Sequence, residues 1–363
     1  MRRASHVLFN TFNQDFGCFV CGLDDGFRIY NTDPLKQNFN EKLNGGIGAV
    51  EMLFRCNYVA LVGGGVTPAF STNKVVIWDI INHREVVHLE MNSDVRAVRL
   101  RRDRIVVVLD TSVHIFSFTD QPEKLQVYDS SRNPRGICCL CPASEKFSSC
   151  FFLLPSSSSA VCCVTLTEPD ALPTSENSLL AFPAPSSSSA VCCVTLTEPD
   201  ALPKVINAHQ RPLSAIALNL TGEQLATSSE KGTIIRIFDT KTCLLLKELR
   251  RGTNPASIYW YYLFRCSVSL CSSFYLEDKI WQDNERIFAS SISFSTDSTM
   301  LCVSSNHHTV HLFSLAMKKK KVPLGKLSFS GEVSVSRFRL PFPFKDKDSC
   351  ICAFGPQPDS VIG

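Results

Sequence analysis

Five stretches of this 363-residue chain repeat one phrase: DDGFRIYN at 24–31, TNKVVIWD at 72–79, DTSVHIFS at 110–117, KGTIIRIFD at 231–239 and HHTVHLFS at 307–314. Each opens on polar turn residues, runs through β-branched and aromatic positions, and closes on an aromatic followed by a small polar residue. Turn chemistry ahead of such a run predicts a β-strand entered through a tight turn. Aligned on Tyr30, Trp78, Phe116, Phe238 and Phe313, the phrases stand 48, 38, 122 and 75 residues apart. The two short intervals match the roughly 40 to 45 residues of a four-stranded propeller blade.

The long intervals carry their own explanation. PSSSSAVCCVTLTEPDALP occupies 155–173 and recurs unchanged at 185–203, a period of 30 residues. Without that period 122 becomes 92, or two blades of 46, and AVCCVTL supplies the strand otherwise missing. Identity over 19 residues reads as a recent tandem duplication or as an artefact of the gene model. A second insertion, at about 260–290, stretches the last interval in the same way. The expectation is an all-β chain forming a single seven-bladed, WD-repeat-like β-propeller over 1–363. Its blades fall near 6–45, 48–91, 94–129, 135–205, 212–249 and 256–332. CICAFGPQPDSVIG at 350–363 is expected to begin a seventh blade that stays incomplete, leaving a sheet edge open.

Composition narrows the function. With 44% hydrophobic and 20% charged residues the chain is globular and large enough to bury a sizeable core. Its net charge of +3, from 37 basic against 34 acidic residues, argues against nucleic acid as a partner and leaves only local basic sites. No apolar run reaches transmembrane length, and MRRASHVLFNTFNQDFG lacks the apolar core of a secretion signal, so a soluble cytoplasmic chain is expected. The 17 cysteines are odd in number and partly adjacent, as in Cys138-Cys139 and Cys162-Cys163, which favours reduced core thiols over disulfides.

Catalytic signals are weak. The glycines at 63–65 lack the Lys-Ser/Thr of a phosphate-cradling loop. Cys18 and Cys21 have no second pair at metal-binding spacing, and no Ser/His/Asp signature is found. No enzyme activity, metal or cofactor is expected. ELRRGTN at 248–254 is more informative. Neighbours on an extended segment point to opposite sides, so Arg250 and Arg251 can serve two pockets. Guanidinium groups match phosphate by planar, bidentate hydrogen bonding, and Gly252 allows close backbone approach. Alone, the same letters also fit an ordinary charged pair at a strand end.

The wider context adds to this. ELRRGTNPASIY (248–259), INAHQ (206–210), ATSSEKGTIIRIFDT (226–240), VEMLFRCNYVALVGGG (50–65), NPRGICCLCP (133–142), CVSS (302–305), HTVHLF (308–313) and CICAFG (350–355) together resemble the PROPPIN family of WD-repeat propellers that bind phosphoinositides. The resemblance implies two headgroup pockets flanking the arginine pair, selective for phosphatidylinositol 3-phosphate and 3,5-bisphosphate. His209, Thr227, Ser229, Thr233, Arg236 and Arg250 would form the first; Arg251, Ser305, Thr309 and His311 the second. Lys318, Lys319, Lys320 and Lys321, within a loop at 316–332, would contact membrane, each basic residue near an anionic surface contributing about 1 kcal/mol. Asn13 and Asp15 would help bind an autophagy lipid-transfer protein. The family commonly has a turn glycine where this chain has His308 in SSNHHTVHLF. The implied role is a monomeric autophagy adaptor on phosphoinositide-containing preautophagosomal, endosomal or lysosomal membranes. The alternative is a WD-repeat scaffold that binds proteins alone.

Overall fold

A strand covered on both faces loses the polar–apolar alternation and reads as a nearly continuous apolar run. RIVVV at 104–108 and YVALVG at 58–63 are such runs, and both are middle strands with apolar neighbours on either side. The computed structural model describes residues 5–141, 178–198, 200–253, 292–305, 309–316, 331–339, 352–354 and 360–362.

Blade one is β1 (Val7–Phe12), β2 (Cys18–Leu23), β3 (Gly26–Asn31) and β4 (Lys36–Lys42). Blade two is β5 (Ile47–Met52), β6 (Tyr58–Gly63), β7 (Lys74–Asp79) and β8 (Arg84–Glu90). Blade three is β9 (Ala97–Arg101), β10 (Arg104–Val108), β11 (Ser112–Ser117) and β12 (Lys124–Asp129). Blade four is β13 (Cys139–Leu140), β14 (Leu179–Ala184), β15 (Ser187–Thr195) and β16 (Lys204–Ile206). Blade five is β17 (Leu213–Leu218), β18 (Gln224–Ser229), β19 (Ile234–Asp239) and β20 (Leu245–Arg250). Blade six follows as β21 (Ile292–Phe294), β22 (Met300–Ser305) and β23 (Thr309–Ser314); β24 (Glu332–Val333) then joins blade five, and β25 (Ser336–Arg339) completes blade six.

Within each blade the strands pair antiparallel in chain order, and the first strands of successive blades pack side by side. The repeated sequence phrase is the third strand of blades one, two, three, five and six. Burial falls from the inside outward: β10 is almost wholly buried, whereas the outer strands β4 and β12 are mostly exposed. Alternate residues of a middle strand enter different cores. Ile105 and Val107 join blade two's Ala60, Val62 and Ile77; Val106 and Val108 join blade four's Leu180, Phe182 and Val194. Each such side chain contributes about 1.5–3 kcal/mol by leaving water.

The second copy of the duplicated stretch supplies AVCCVT to β15, where Cys192 and Val194 face blade three and Val191 and Cys193 face blade five. The first copy, and the insertion at 260–290, lie outside the described residues. The cysteines behave as small apolar groups, and burial pushes the Cys138 thiol up to about 12. Cys18 is 4% exposed and Cys21 half-buried, three positions apart on one strand and so on opposite faces.

Two expectations are corrected. The described residues form six blades, not seven: beyond blade six stands a two-stranded pair, β26 (Ala353–Phe354) with β27 (Val361–Ile362), against Cys302 and Val310. Among the described residues this pair supplies two strands, whereas each of the six blades has four strands of its own. The outer strand of blade six lies at 336–339, past the anticipated end at 332, because Glu332 and Val333 pair parallel with Leu249 and Arg250 of blade five instead.

The glycines at 63–65 prove to be packing positions. A Cβ built on Gly63 would overlap the Phe70 carbonyl oxygen, and one on Gly64 would overlap Gly48. Backbone cannot rotate aside as a side chain can. Gly63→Ala is therefore expected to destabilise the fold by about 3 kcal/mol, read as a lowered urea midpoint; an unchanged midpoint would contradict this packing.

Candidate anion site around the arginine pair

Blade five aligns a polar row across its strands: Thr227 on β18 opposes Arg236 on β19, which opposes Glu248 on β20. Their neighbours Ile235 and Ile237 are buried in the core, so strand alternation turns this row the other way. His209, from the segment entering blade five, places Nε2 3.0 Å from the Thr227 hydroxyl. Arg236 donates from Nε to Glu248 at 3.0 Å and from its guanidinium to the Ala208 carbonyl at 2.7 Å. Thr227, Ser229 and Thr233 are buried, and Ser229 accepts from Gly232 N–H in the turn that leads into β19.

Arg250 ends β20, paired across to Ile234 on one side and Val333 on the other, and its side chain is half-buried. Arg251 is only 9% exposed. Its Nε donates to the Gly232 carbonyl at 2.6 Å and its backbone N–H to the Thr233 carbonyl at 3.0 Å. These bonds to the turn ahead of β19 fix the second arginine of the pair against blade five.

In sequence the stretch after Tyr259 lies between Arg251 and the remaining residues of the second set. In space blades five and six share one core, containing Ile235, Ile237 and Leu249 with Leu301, Val303 and Phe313. Ser305 and Thr309 are register partners with hydroxyls 3.3 Å apart. His311 is 4% exposed, lies across from Arg337 and places Nδ1 3.3 Å from the Ser334 hydroxyl.

Burial pushes the His311 imidazole down to about 4, helped by the positive charges of Arg251 and Arg337. Arg251 and His311 are thus close enough to sense one another. His209 is likewise pushed down to about 4, first by burial and then by Arg236. Of the residues named from sequence, direct contacts join His209, Thr227 and Arg236; Arg251 binds the turn at Gly232 and Thr233, and Ser305 meets Thr309 on blade six. Neutral imidazoles and hydroxyls donate to phosphate oxygens, and guanidinium groups supply charge. A phosphate reaching Arg236 must share it with Glu248.

Ser334 and Arg337 carried no sequence signal, lying beyond the 317–330 stretch and meeting His311 only through strand pairing. Glu248 was not singled out from sequence either, because alternation fixes the face a residue takes and not the register that sets Glu248 opposite Arg236. Lys318 to Lys321 and His308 lie outside the described residues. Asn13 is 2% exposed; its side chain holds Cys18 N–H and the Phe54 carbonyl, while Asp15 pairs with Arg55 at 3.5 Å. Among the described residues no cluster of His, Cys, Asp and Glu could hold a metal, and no helix is long and apolar enough to cross a membrane.

Fold and repeat define a β-propeller that carries an arginine pair at the end of blade five's outer strand. The family model PROPPIN matches residues 150–285. SVP1-like protein 2 of Debaryomyces hansenii is 33% identical over 317 residues, covering 85% of this chain and 66% of that protein. SVP1-like protein 2 of Pichia angusta is 32% identical over 313 residues, covering 85% and 70%. The chain belongs to the PROPPIN family, and spans about two thirds of the length of these curated relatives. Among solved structures, Kluyveromyces marxianus Hsv2 superimposes with a TM-score of 0.67 at 23% identity, covering 99% of this chain and 88% of that one. A complex of KlAtg21 with the coiled coil of AgAtg16 gives 0.64 at 21%, covering 99% and 91%. At these identities the structures establish the shared fold alone.

The depressed imidazoles set a pH dependence. Below about pH 6.5 the unfolded chain protonates His209 and His311 while the folded protein does not, down to about pH 4. Stability is then lost as pH falls through that window, by up to about 1.4 kcal/mol per pH unit for each histidine. Urea midpoints measured from pH 7 to 4.5 should fall, and His311→Asn should flatten part of the slope. An unaltered slope would refute a buried neutral His311.

Proposed function

We propose that this chain is a phosphoinositide-binding peripheral membrane adaptor of autophagy, recognising phosphatidylinositol 3-phosphate and 3,5-bisphosphate. The observation that carries this reading is the adjacent pair Arg250-Arg251 at the end of β20, with hydroxyl and imidazole groups on both sides. His209, Thr227, Ser229, Thr233, Arg236 and Arg250 take one headgroup, and Arg251, Ser305, Thr309 and His311 take another. Two modest sites on one bilayer bind together far more tightly than either alone. Lys318 to Lys321 add attraction to an anionic surface. Membership of the PROPPIN family supports the assignment.

The adaptor role requires a protein partner as well as a membrane. The relative KlAtg21, solved in complex with a coiled coil, supports protein recognition by such a propeller. Asp15 lies on the blade-one turn proposed to receive an autophagy lipid-transfer protein, and the buried Asn13 supports that turn from within. Since Asn13 serves the turn itself, Asp15 and its partner Arg55 are the more exposed part of that surface. The adaptor works as a monomer at preautophagosomal, endosomal or lysosomal membranes.

Co-sedimentation with vesicles containing phosphatidylinositol 3-phosphate tests the lipid reading. Replacing both arginines, Arg250→Thr with Arg251→Thr, removes charge-assisted hydrogen bonds worth about 1.5–3 kcal/mol each, so vesicle binding should disappear while the fold survives. Undiminished binding by the double variant would overturn the assignment. A folded wild-type protein indifferent to the lipid would instead favour the protein-only scaffold.

A further inference from the structure

Cys302 on β22 and Cys352, just ahead of β26, bring their sulfur atoms to 3.1 Å although they stand 50 residues apart in the chain. Both are thiols, and both are buried, at 0% and 3% exposure. They share a small apolar cluster with Val310 and Phe354, at whose margin Met300, Leu312 and Val361 are only partly buried. Through this cluster the β26–β27 pair rests on blade six. A disulfide needs its sulfurs about 2 Å apart, so closure asks for a shift of about 1 Å.

Thiols that are neighbours in sequence are placed differently. Cys192 and Cys193 are adjacent, yet one faces blade three and the other blade five. Cys18 and Cys21 take opposite faces of their strand. Nearness in the fold, not in the chain, is what pairs Cys302 with Cys352. Register shows where a bond between them would stand. Cys302 pairs with Leu312, while its neighbour Val303 pairs with His311 and packs toward blade five. Cys302 thus lies on the face of β22 turned away from blade five and its arginine pair.

We propose that Cys302 and Cys352 form a redox modification site: a peroxide converts them to a reversible disulfide that staples the β26–β27 pair to blade six. One thiolate attacks a peroxide oxygen, breaks the O–O bond, releases hydroxide and becomes a sulfenic acid. The second thiolate attacks that sulfur, forms the S–S bond and expels the hydroxyl as hydroxide. The two thiol protons turn both hydroxides into water, so hydrogen peroxide gains the two electrons that the thiols lose. A reducing dithiol reverses the bond by exchange. Local opening at the partly exposed margin of the cluster admits an oxidant of that size. The bond ties together residues 50 positions apart and so restricts the unfolded chain. The site is independent of what the arginine pair binds.

The test treats the folded full chain with hydrogen peroxide, blocks remaining thiols with iodoacetamide in urea, and maps peptides by mass spectrometry without reductant. A peptide pair linking Cys302 to Cys352 should appear, vanish with dithiothreitol, and give way to mixed linkages when the oxidation itself is run in urea. The oxidised protein should melt about 5 °C above the reduced one. Cys302→Ala and Cys352→Ala should each abolish both the linked peptide and the shift, and the wild-type map decides the matter even where a variant fails to fold. Blocked thiols at both positions after peroxide, or a bond from Cys302 to another cysteine in preference to Cys352, would overturn the proposal. A melting temperature unmoved by the bond would overturn the staple.

Discussion

The structure depends on one packing constraint: a middle strand of each blade has apolar side chains on both faces, and both faces must be covered. Val106 and Val108 leave water only because blade four stands on one side of β10, while Ile105 and Val107 need blade two on the other. No blade can bury its own residues alone. Sheets in this position stack around a common interior, inner strands against inner strands, and the polar outer strands β4 and β12 are left at the rim. The glycines at 46, 48, 63 and 64 belong to the same constraint, because backbones approach there with no room for a side chain.

The anion site is a product of that stacking. Arg250 and Arg251 end the outer strand of blade five, where an edge would otherwise expose unpaired backbone groups. The short β24 covers part of that edge, and the chain then passes to His311 on blade six. Burial keeps the imidazoles of His311 and His209 neutral, and neighbouring guanidinium groups add to it, which is why the two share a depressed proton affinity. The same neutral rings remain able to donate to an oxyanion. Electrostatics and hydrogen-bonding capacity here follow from burial more than from residue type.

Much of the fold was legible because strand chemistry is local. Turn residues followed by β-branched and aromatic runs marked the third strand of five blades, and the doubled AVCCVTL pointed to the third strand of blade four. The blade count was less legible, since composition in 350–363 resembles strand but the described pair holds only two residues per strand. The cysteines were read correctly as core fillers among the described residues because neighbouring thiols pack like small apolar groups. The contact of Cys302 with Cys352 was not legible, since the two stand 50 residues apart in the chain.

By itself the sequence determined the all-β class, the repeat spacing and the arginine pair within a family pattern, because each is written in contiguous residues. Only the tertiary structure decided that residues 332–333 leave blade six to pair with blade five, and that His311 lies within the electrostatic reach of Arg251 despite the long stretch between them. It also decided that Lys247 joins Ser314, Ala316 and Glu332. These are contacts between blades, set by how two sheets pack, and nothing in the spacing of the chain encodes which side chains that packing brings together.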